Sequence, residues 1–378
     1  AVIVSGMTDA LTACLQLVHS TARSGKIRDA LMHYRDPETA WDALCRLDRS
    51  LQPGLKPKLP LLERGRSWLG EAGNYVIAWH DSDYPQVLRQ VASPPPFLFV
   101  RGRCDLLWHP QIAVVGTRQP SAAGTECAYY FARTLAAQGY TITSGLASGI
   151  DAAAHEGALL TGHTIAALAT GPDMAFPRGN TGLYRRICET GAVITEHPPG
   201  VPALRSHFPA RNRIIAALSH GTLVIEAAIR SGALITARLA AELGKEVMAV
   251  PGSIHNPVAY GCHQLIREGA FLVEQPEEVR HILGCSLDGS ASVLPADAQS
   301  PQKPATDRLD AFRLNAEQQQ VWQALGHDAV AIDTLCLRTG LTAADISSIL
   351  IGMELAGWVE NHAGRYHRGV YGTASARG

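Results

Sequence analysis

The feature that most constrains this chain is an alternation running from about residue 71 to 284. Short apolar or β-branched runs recur: Ile112-Ala113-Val114-Val115, Tyr140-Thr141-Ile142-Thr143, Thr164-Ile165-Ala166-Ala167-Leu168, Ala192-Val193-Ile194-Thr195, Leu223-Val224-Ile225 and Val247-Met248-Ala249-Val250. Most are followed by Gly or Pro and then by a helix-like segment. Strands that are apolar almost throughout need cover on both faces, which a parallel sheet between two layers of helices supplies. The expected class is α/β. Ligands of such sheets sit at the carboxyl ends of the strands, in the loops that enter helices.

The flanks read differently. Residues 7–70 are expected to form a small helical domain, with Leu11, Leu15 and Val18 at helical spacing and Ala30, Tyr34, Trp41 and Leu44 further on; the helical pattern ends in a Pro/Lys-rich stretch, Pro53 to Pro60. Residues 71–285 form the α/β domain. Residues 286–310 are rich in Ser, Ala, Pro and Asp without periodicity and read as a flexible linker. Residues 311–370 read as a winged helix. Asn315 with Gln318 caps a first helix, a second covers Ile332 to Thr339 and stops at Gly340, and Thr342 caps a third. A hairpin over Trp358 to His367 follows.

Composition narrows the function. The chain has 378 residues, 18% of them charged against a usual share of roughly 25%. Its 33 basic and 34 acidic side chains give a net charge of -1, so a strongly basic nucleic-acid binder is excluded for the chain as a whole, though not a local basic patch. No run approaches about 18 apolar residues, so no membrane span is expected. The first residues lack the pattern of a signal peptide. Eight scattered cysteines with no C-x-x-C pair imply reduced thiols in a cytoplasmic protein, without a zinc site.

The motifs that would announce common chemistries are missing: no G-x-x-x-x-G-K-[ST], no G-x-G-x-x-G after a strand, no H-E-x-x-H, no G-x-S-x-G. Three strand-to-helix turns suited to anions are present instead. Gly116-Thr117-Arg118 offers a close backbone approach, a hydroxyl and a guanidinium fork that matches phosphate oxygens. Ser144-Gly145 through Gly149 leads into a helix whose N-terminus favours a negative ligand. Ser231-Gly232 is a third such turn. Between Arg178 and Arg213 stand six arginines and two glutamates, a local charge of +4. An arginine-lined groove suits a phosphate backbone, and Phe208 beside it is a candidate for stacking on a base, although a core Phe is the commoner case.

Other residues point to less. Asp151 and His155 lie four apart, too few for a metal site, and Asp151 at a helix start reads as a cap. Glu226 is the one carboxylate placed to act as a base, with a structural hydrogen bond as its plainer role. The third helix of the winged helix has no Lys or Arg and carries Asp345 and Glu354, which argues against duplex reading through it. The wing, with His362, Arg365, His367 and Arg368, is basic.

Taken with Phe176-Pro177-Arg178-Gly179-Asn180, Phe208-Pro209-Ala210-Arg211-Asn212-Arg213 and Ser231 to Ala237, these blocks resemble the DprA/Smf family, the DNA-processing proteins of natural transformation. The resemblance covers about residues 81–275. It implies an extended Rossmann-like, doubly wound core preceded by a SAM-like helical domain, binding single-stranded DNA without sequence preference, usually as a homodimer. It implies loading of the RecA recombinase against single-strand-binding protein, with no catalysis and no cofactor. By motif, Gly116, Thr117 and Arg118 would hold a phosphate. Arg178 would stand where the family commonly places a DNA-contacting lysine, Phe-Pro-Arg here replacing Tyr-Pro-Lys. Arg211, Asn212 and Arg213 fall in the F-P-x-R-N-R block and are assigned to the same groove. Two other readings follow from the residues: a nucleotide-processing enzyme like the phosphoribohydrolases, using Gly221-Thr222 and Glu226, and a duplex-binding winged-helix regulator.

Overall fold

The computed structural model describes residues 8–20, 22–47, 59–284, 315–325, 330–362 and 364–368, in two compact units, Ala1–Asp288 and Gly289–Gly378. The expected linker, 286–310, lies outside the described residues, as does most of the Pro/Lys-rich stretch.

The first unit opens with α1 (Thr8–His19), α2 (Ser24–Tyr34), α3 (Pro37–Leu47) and α4 (Leu59–Leu69). Then come β1 (Asn74–Ala78), β2 (Phe97–Gly102), β3 (Gln111–Val115), α5 (Ala122–Ala137), β4 (Thr141–Ser144), α6 (Ile150–Thr161) and β5 (Thr164–Ala167). The series continues with α7 (Thr181–Thr190), β6 (Ala192–Thr195), α8 (His207–Leu218), β7 (Gly221–Val224) and α9 (Gly232–Glu242). It closes with β8 (Glu246–Ala249), α10 (Tyr260–Arg267), β9 (Phe271–Leu272) and α11 (Pro276–Leu283). The nine strands form one sheet in the order β1-β2-β6-β5-β4-β3-β7-β8-β9. The β1–β2 and β2–β6 pairs are antiparallel and the remaining pairs parallel. The six strands expected from sequence stand within two residues of their predicted limits. β1, β2 and β9 are additional.

Alternation along β3 shows why both faces are covered. Ala113 and Val115 join one buried cluster with Ile165, Ile194, Ile214 and Leu234, under α8 and α9. Ile112 and Val114 join another with Phe131, Ile142, Ala154 and Val279, under α5, α6 and α11. From β3 the chain winds outward through β4, β5 and β6, and then α8 returns it to β7 on the other side of β3. The switch point therefore lies between β3 and β7, where an open α/β sheet leaves a crevice at its carboxyl edge.

The N-terminal helices do not have a core to themselves. Leu15, Leu17, Leu31, Trp41 and Trp68 pack in one cluster with Val76 and Ala78 of β1 and Phe97 and Phe99 of β2. The antiparallel strands are thus the floor on which α1–α4 rest, a closer attachment than a separate helical domain implies.

The second unit holds α12 (Ala316–Leu325), β10 (Val330–Ala331), α13 (Ile332–Thr339), α14 (Ala343–Leu355), β11 (Val359–His362) and β12 (Arg365–Arg368). The strands form an antiparallel sheet ordered β10-β12-β11. Asn315 and Gln318 exchange side-chain-to-backbone bonds of 2.8 and 3.1 Å, the capping box expected from sequence. Gly340 ends α13 at φ 73°, and Thr342 caps α14 by accepting from Asp345 N–H. Val321, Leu335, Ile346, Leu350, Met353 and Val359 make this unit's own core. It is a winged helix. Among the described residues no single helix is long and apolar enough to cross a membrane.

Candidate nucleic-acid interface

The three predicted turns fall at the carboxyl ends of β4, β3 and β7, which are adjacent strands, and the loop with Arg178 follows β5 beside them. The fold therefore gathers the predicted residues along one edge. Their side chains divide into two sets, those turned outward and those spent on the protein itself.

Arg118 leads the outward set. It is exposed and has no hydrogen bond or ion pair among the described residues; its guanidinium carbon lies 5.3 Å from the centre of the Phe208 ring. Phe208 meets Phe176 at 5.6 Å between ring centres, and Phe176 is 43% exposed. A cation over an aromatic face is held loosely enough to turn to a phosphate and closely enough to stay over the ring. Arg178, Arg185 and Arg205 are likewise exposed with no side-chain partner among the described residues. Gly232 faces open space, where a Cβ would have no neighbour within 4 Å.

The β3 exit is anchored across the switch point. Thr117 N–H donates to the Glu226 carbonyl at 2.6 Å, Thr117 O accepts from Ile150 N–H at 3.2 Å, and Thr117 Oγ accepts from Gln119 N–H at 3.2 Å. Gly116 packs on Ile150 with no room for a side chain. The Glu226 carboxylate accepts from Ser121 N–H at 2.8 Å, Ser121 Oγ–H at 2.6 Å and Asn256 Nδ2 at 3.2 Å. Ser121 is the N-cap of α5, so the chain's own carboxylate occupies the helix N-terminus at the switch point.

The β4 exit, expected to offer its backbone N–H groups to an anion, is turned inward over residues 144–147. Ser144 Oγ donates to the Val114 carbonyl, Gly145 and Ala147 N–H donate to Asp151 Oδ2 at 3.1 and 3.4 Å, and Leu146 N–H donates to His155 Nε2 at 3.3 Å. Asn180 Nδ2 donates to the carbonyls of Leu146 and Ala147, and Arg211 Nη1 to that of Gly145. These bonds hold Leu146 at φ 56°, a left-handed conformation that costs a side chain of this kind. Gly145 is required because a Cβ there would stand 2.0 Å from Arg211 Nη1. Only Ser148, which is exposed, and Gly149, just before α6, leave N–H groups without partners among the described residues.

Arg211, Asn212 and Arg213 also face the protein, which corrects the picture of one arginine-lined groove. Arg211 is 5% exposed and donates to the carbonyls of Gly145 and Ala167, joining the ends of β4 and β5, and to Asn212 Oδ1. Asn212 Nδ2 donates to the Gly232 carbonyl at 3.3 Å, so it ties α8 to the start of α9. Arg213 makes a two-bond ion pair with Glu196 at 2.7 and 2.6 Å. Arg186 pairs with Glu156. Ser231 is the N-cap of α9, accepting from Ala233 N–H.

Electrostatics follows burial. Burial pushes the Asp151 carboxyl up, opposed by the Arg211 guanidinium and the loop N–H groups, and pushes Arg211 down. His155 is brought down to about 3 by burial and by Arg211. It is thus neutral, with Nδ1 against Thr164 Oγ, whose own proton goes to the Ile142 carbonyl. Among the described residues no three His, Cys, Asp or Glu side chains are placed to share a metal ion. The sequence reading missed the Arg118–Phe208–Phe176 contact as a unit; Phe176 directly before Pro177-Arg178 was its available signal.

In the winged helix, α14 turns Ile346, Leu350 and Met353 inward and leaves Ile351 and Leu355 exposed, with Leu337 of α13 exposed as well. α14 itself carries no Lys or Arg. Arg365 lies on β12.

Comparisons with known proteins agree with this architecture. The family model for DNA recombination-mediator protein A matches residues 75–284, and that for the DprA winged helix domain matches residues 298–365. Protein Smf of Escherichia coli K12 is 40% identical over 309 residues, 81% of this chain and 80% of its own length. DNA processing protein DprA of Streptococcus pneumoniae R6 is 45% identical over 200 residues, 53% of this chain and 71% of its own. The X-ray structure of the Streptococcus pneumoniae protein superposes with a TM-score of 0.61 at 34% identity, covering 73% of this chain and 98% of that one. DNA processing protein A of Helicobacter pylori, solved to describe its single-stranded DNA binding mode, superposes with a TM-score of 0.51 at 27% identity, covering 56% and 95%. The chain belongs to the DprA/Smf family, that of DNA recombination-mediator protein A.

Proposed function

We propose that this protein binds single-stranded DNA without sequence preference at the carboxyl edge of its sheet and acts there as a recombination mediator. The observation that carries the reading is Arg118, an exposed guanidinium without an acidic partner among the described residues, over the half-buried Phe208 ring, which in turn meets the exposed Phe176 at the strand ends. Phosphate oxygens would go to Arg118, Thr117 and Arg178 and to the N–H groups of Ser148 and Gly149, and a base would stack on Phe176 or Phe208. Stacking and phosphate contacts ignore base identity, and splayed bases are available only in a single strand. The Helicobacter pylori relative, described by its single-stranded DNA binding mode, supports the same ligand here. Arg211, Asn212 and Arg213 shape the groove from inside.

From family membership we further propose that the protein works as a homodimer in the cytoplasm, covers incoming strands during natural transformation and loads the RecA recombinase onto them in place of single-strand-binding protein. No catalytic step is part of this reading. The phosphoribohydrolase-like alternative is disfavoured, because the buried Glu226 carboxylate is engaged by Ser121 and Asn256 in a structural role. The duplex-reading alternative meets an α14 face without a cation.

Anisotropy titrations of labelled oligo-dT and oligo-dC, with duplex competitor and over a salt series, test the proposal. The two oligomers should bind alike, duplex should compete poorly, and log affinity should fall with log salt at a slope of about -2 to -4 for three to five neutralised phosphates. Equal competition by duplex would favour the duplex-binding winged-helix reading instead.

A further inference from the structure

The groove is bordered by the loops after β5 and β6, and both lean on the N-terminal helices. Asp173 is the junction. Its Oδ2 accepts from Arg64 Nε of α4 at 2.5 Å, and its Oδ1 accepts from Gly200 N–H at 2.9 Å. Gly171 N–H donates to the Val201 carbonyl at 2.8 Å and Thr195 Oγ, at the end of β6, to that of Thr170 at 2.7 Å, so the two loops are sewn together around this carboxylate. Gly200, at φ 90°, lies so near α4 that a Cβ would stand 2.9 Å from Leu61 Cδ2. Phe176 and Arg178 follow on the same loop.

A second prop reaches the other side of the groove. Arg28 of α2 donates to the Pro94 carbonyl at 2.8 Å, and the neighbouring carbonyl, of Ser93, accepts from Arg213 Nε at 3.0 Å. Arg213 belongs to α8, whose first turn carries Phe208, and it grips Glu196 after β6. Together the two props connect the helices to both aromatic rings.

We propose that α2 and α4 brace the strand-binding groove, with Arg64 and Asp173 as positioning residues that hold the Phe176–Arg178 loop in its binding geometry. The inference rests on the single-strand reading of the groove. Neither residue is assigned a contact with DNA, since the facing charges of Arg64 and Asp173 are spent on each other. A loop ordered beforehand loses less freedom when the strand arrives, and affinity gains what ordering would have cost.

Charge makes the test sharp. Arg64→Ala removes a positive charge near the groove and Asp173→Asn removes a negative one. A purely long-range electrostatic effect would weaken binding in the first variant and tighten it in the second. A lost brace weakens both. In anisotropy titrations of the full chain with labelled oligo-dT, each variant should bind about two- to fivefold more weakly, the scale of a partly exposed ion pair. The double variant should be no weaker than the singles, because the residues act as one unit. The salt slope should stay that of the unmodified chain, whereas Arg118→Ala, run in parallel, should lower it by about one. Arg64→Asp combined with Asp173→Arg should recover part of the loss. Tighter or unchanged binding by Asp173→Asn overturns the brace. An Arg118→Ala variant that binds normally overturns the groove reading itself, and the brace with it.

Discussion

Two neighbouring strand exits look alike in sequence and do opposite work. The β3 exit, Gly116 to Ser121, and the β4 exit, Ser144 to Gly149, are both small-residue turns leading into helices. The first fastens its backbone to Glu226 and Ile150 and leaves Arg118 in solvent. The second turns the polar groups of residues 144–147 inward onto Asp151, His155, Asn180 and Arg211. The difference teaches that a small-residue turn at a sheet edge either leaves its charged side chain in solvent or turns its polar groups into the protein. What separates them is where the nearest buried charge sits. Arg211 and Asp151 stand beneath the β4 exit, and a buried charge collects every nearby backbone dipole.

The comparison breaks most visibly through its two arginines. Arg211→Ala should cost about 3–5 kcal/mol in urea unfolding, because it leaves the Gly145 and Ala167 carbonyls without their donor and removes the positive charge that offsets the buried Asp151 carboxylate. Arg118→Ala should stay within about 0.5 kcal/mol of the parent in the same experiment. Equal costs would erase the distinction drawn here. Next in size is Gly145→Ala, whose added methyl meets the Arg211 guanidinium; overpacking of this kind costs about 1–3 kcal/mol.

His155 sharpens the comparison by pH. Its folded pKa lies near 3, below the ordinary histidine value, so between those limits the unfolded chain binds the extra proton. Its stabilising contribution is therefore complete above about pH 6.5 and is lost as pH falls, at up to about 1.4 kcal/mol per pH unit. A His155→Gln variant should lose less stability than the parent between pH 6.5 and 5.5; parallel curves would mean that the ring is not held neutral in the fold. The smallest effect belongs to Arg186→Ala. Its exposed pair with Glu156 is worth at most about 1 kcal/mol, and strand affinity should change far less than for Arg118→Ala.

Much of the fold was legible because β3 to β8 are near-continuous apolar runs, which have few alternatives. β1 and β2 escaped because Tyr75 to Ala78 and Phe97 to Val100 flank a Pro-rich loop and are followed only by short 3-10 turns, not by α-helices, so they lack the β-α rhythm. The winged helix was legible to the residue at Gly340 and Thr342, where capping chemistry leaves few choices, while the two-residue β10 gives no period to read. At the site, sequence placed every predicted residue on one edge but not its direction. Six arginines in one segment look equivalent as letters. Glu196, Glu156 and the floor around Asp151 take up Arg213, Arg186 and Arg211, and only folding brings those partners near.

The most direct test of the central claim is the salt dependence of oligo-dT binding by the full chain and by Arg118→Ala. The account predicts that the variant loses about 1–3 kcal/mol of affinity, about five- to 150-fold, with a salt slope smaller by about one. An Arg118→Ala curve that overlays the parent's at every salt concentration would place the strand elsewhere and contradict the account.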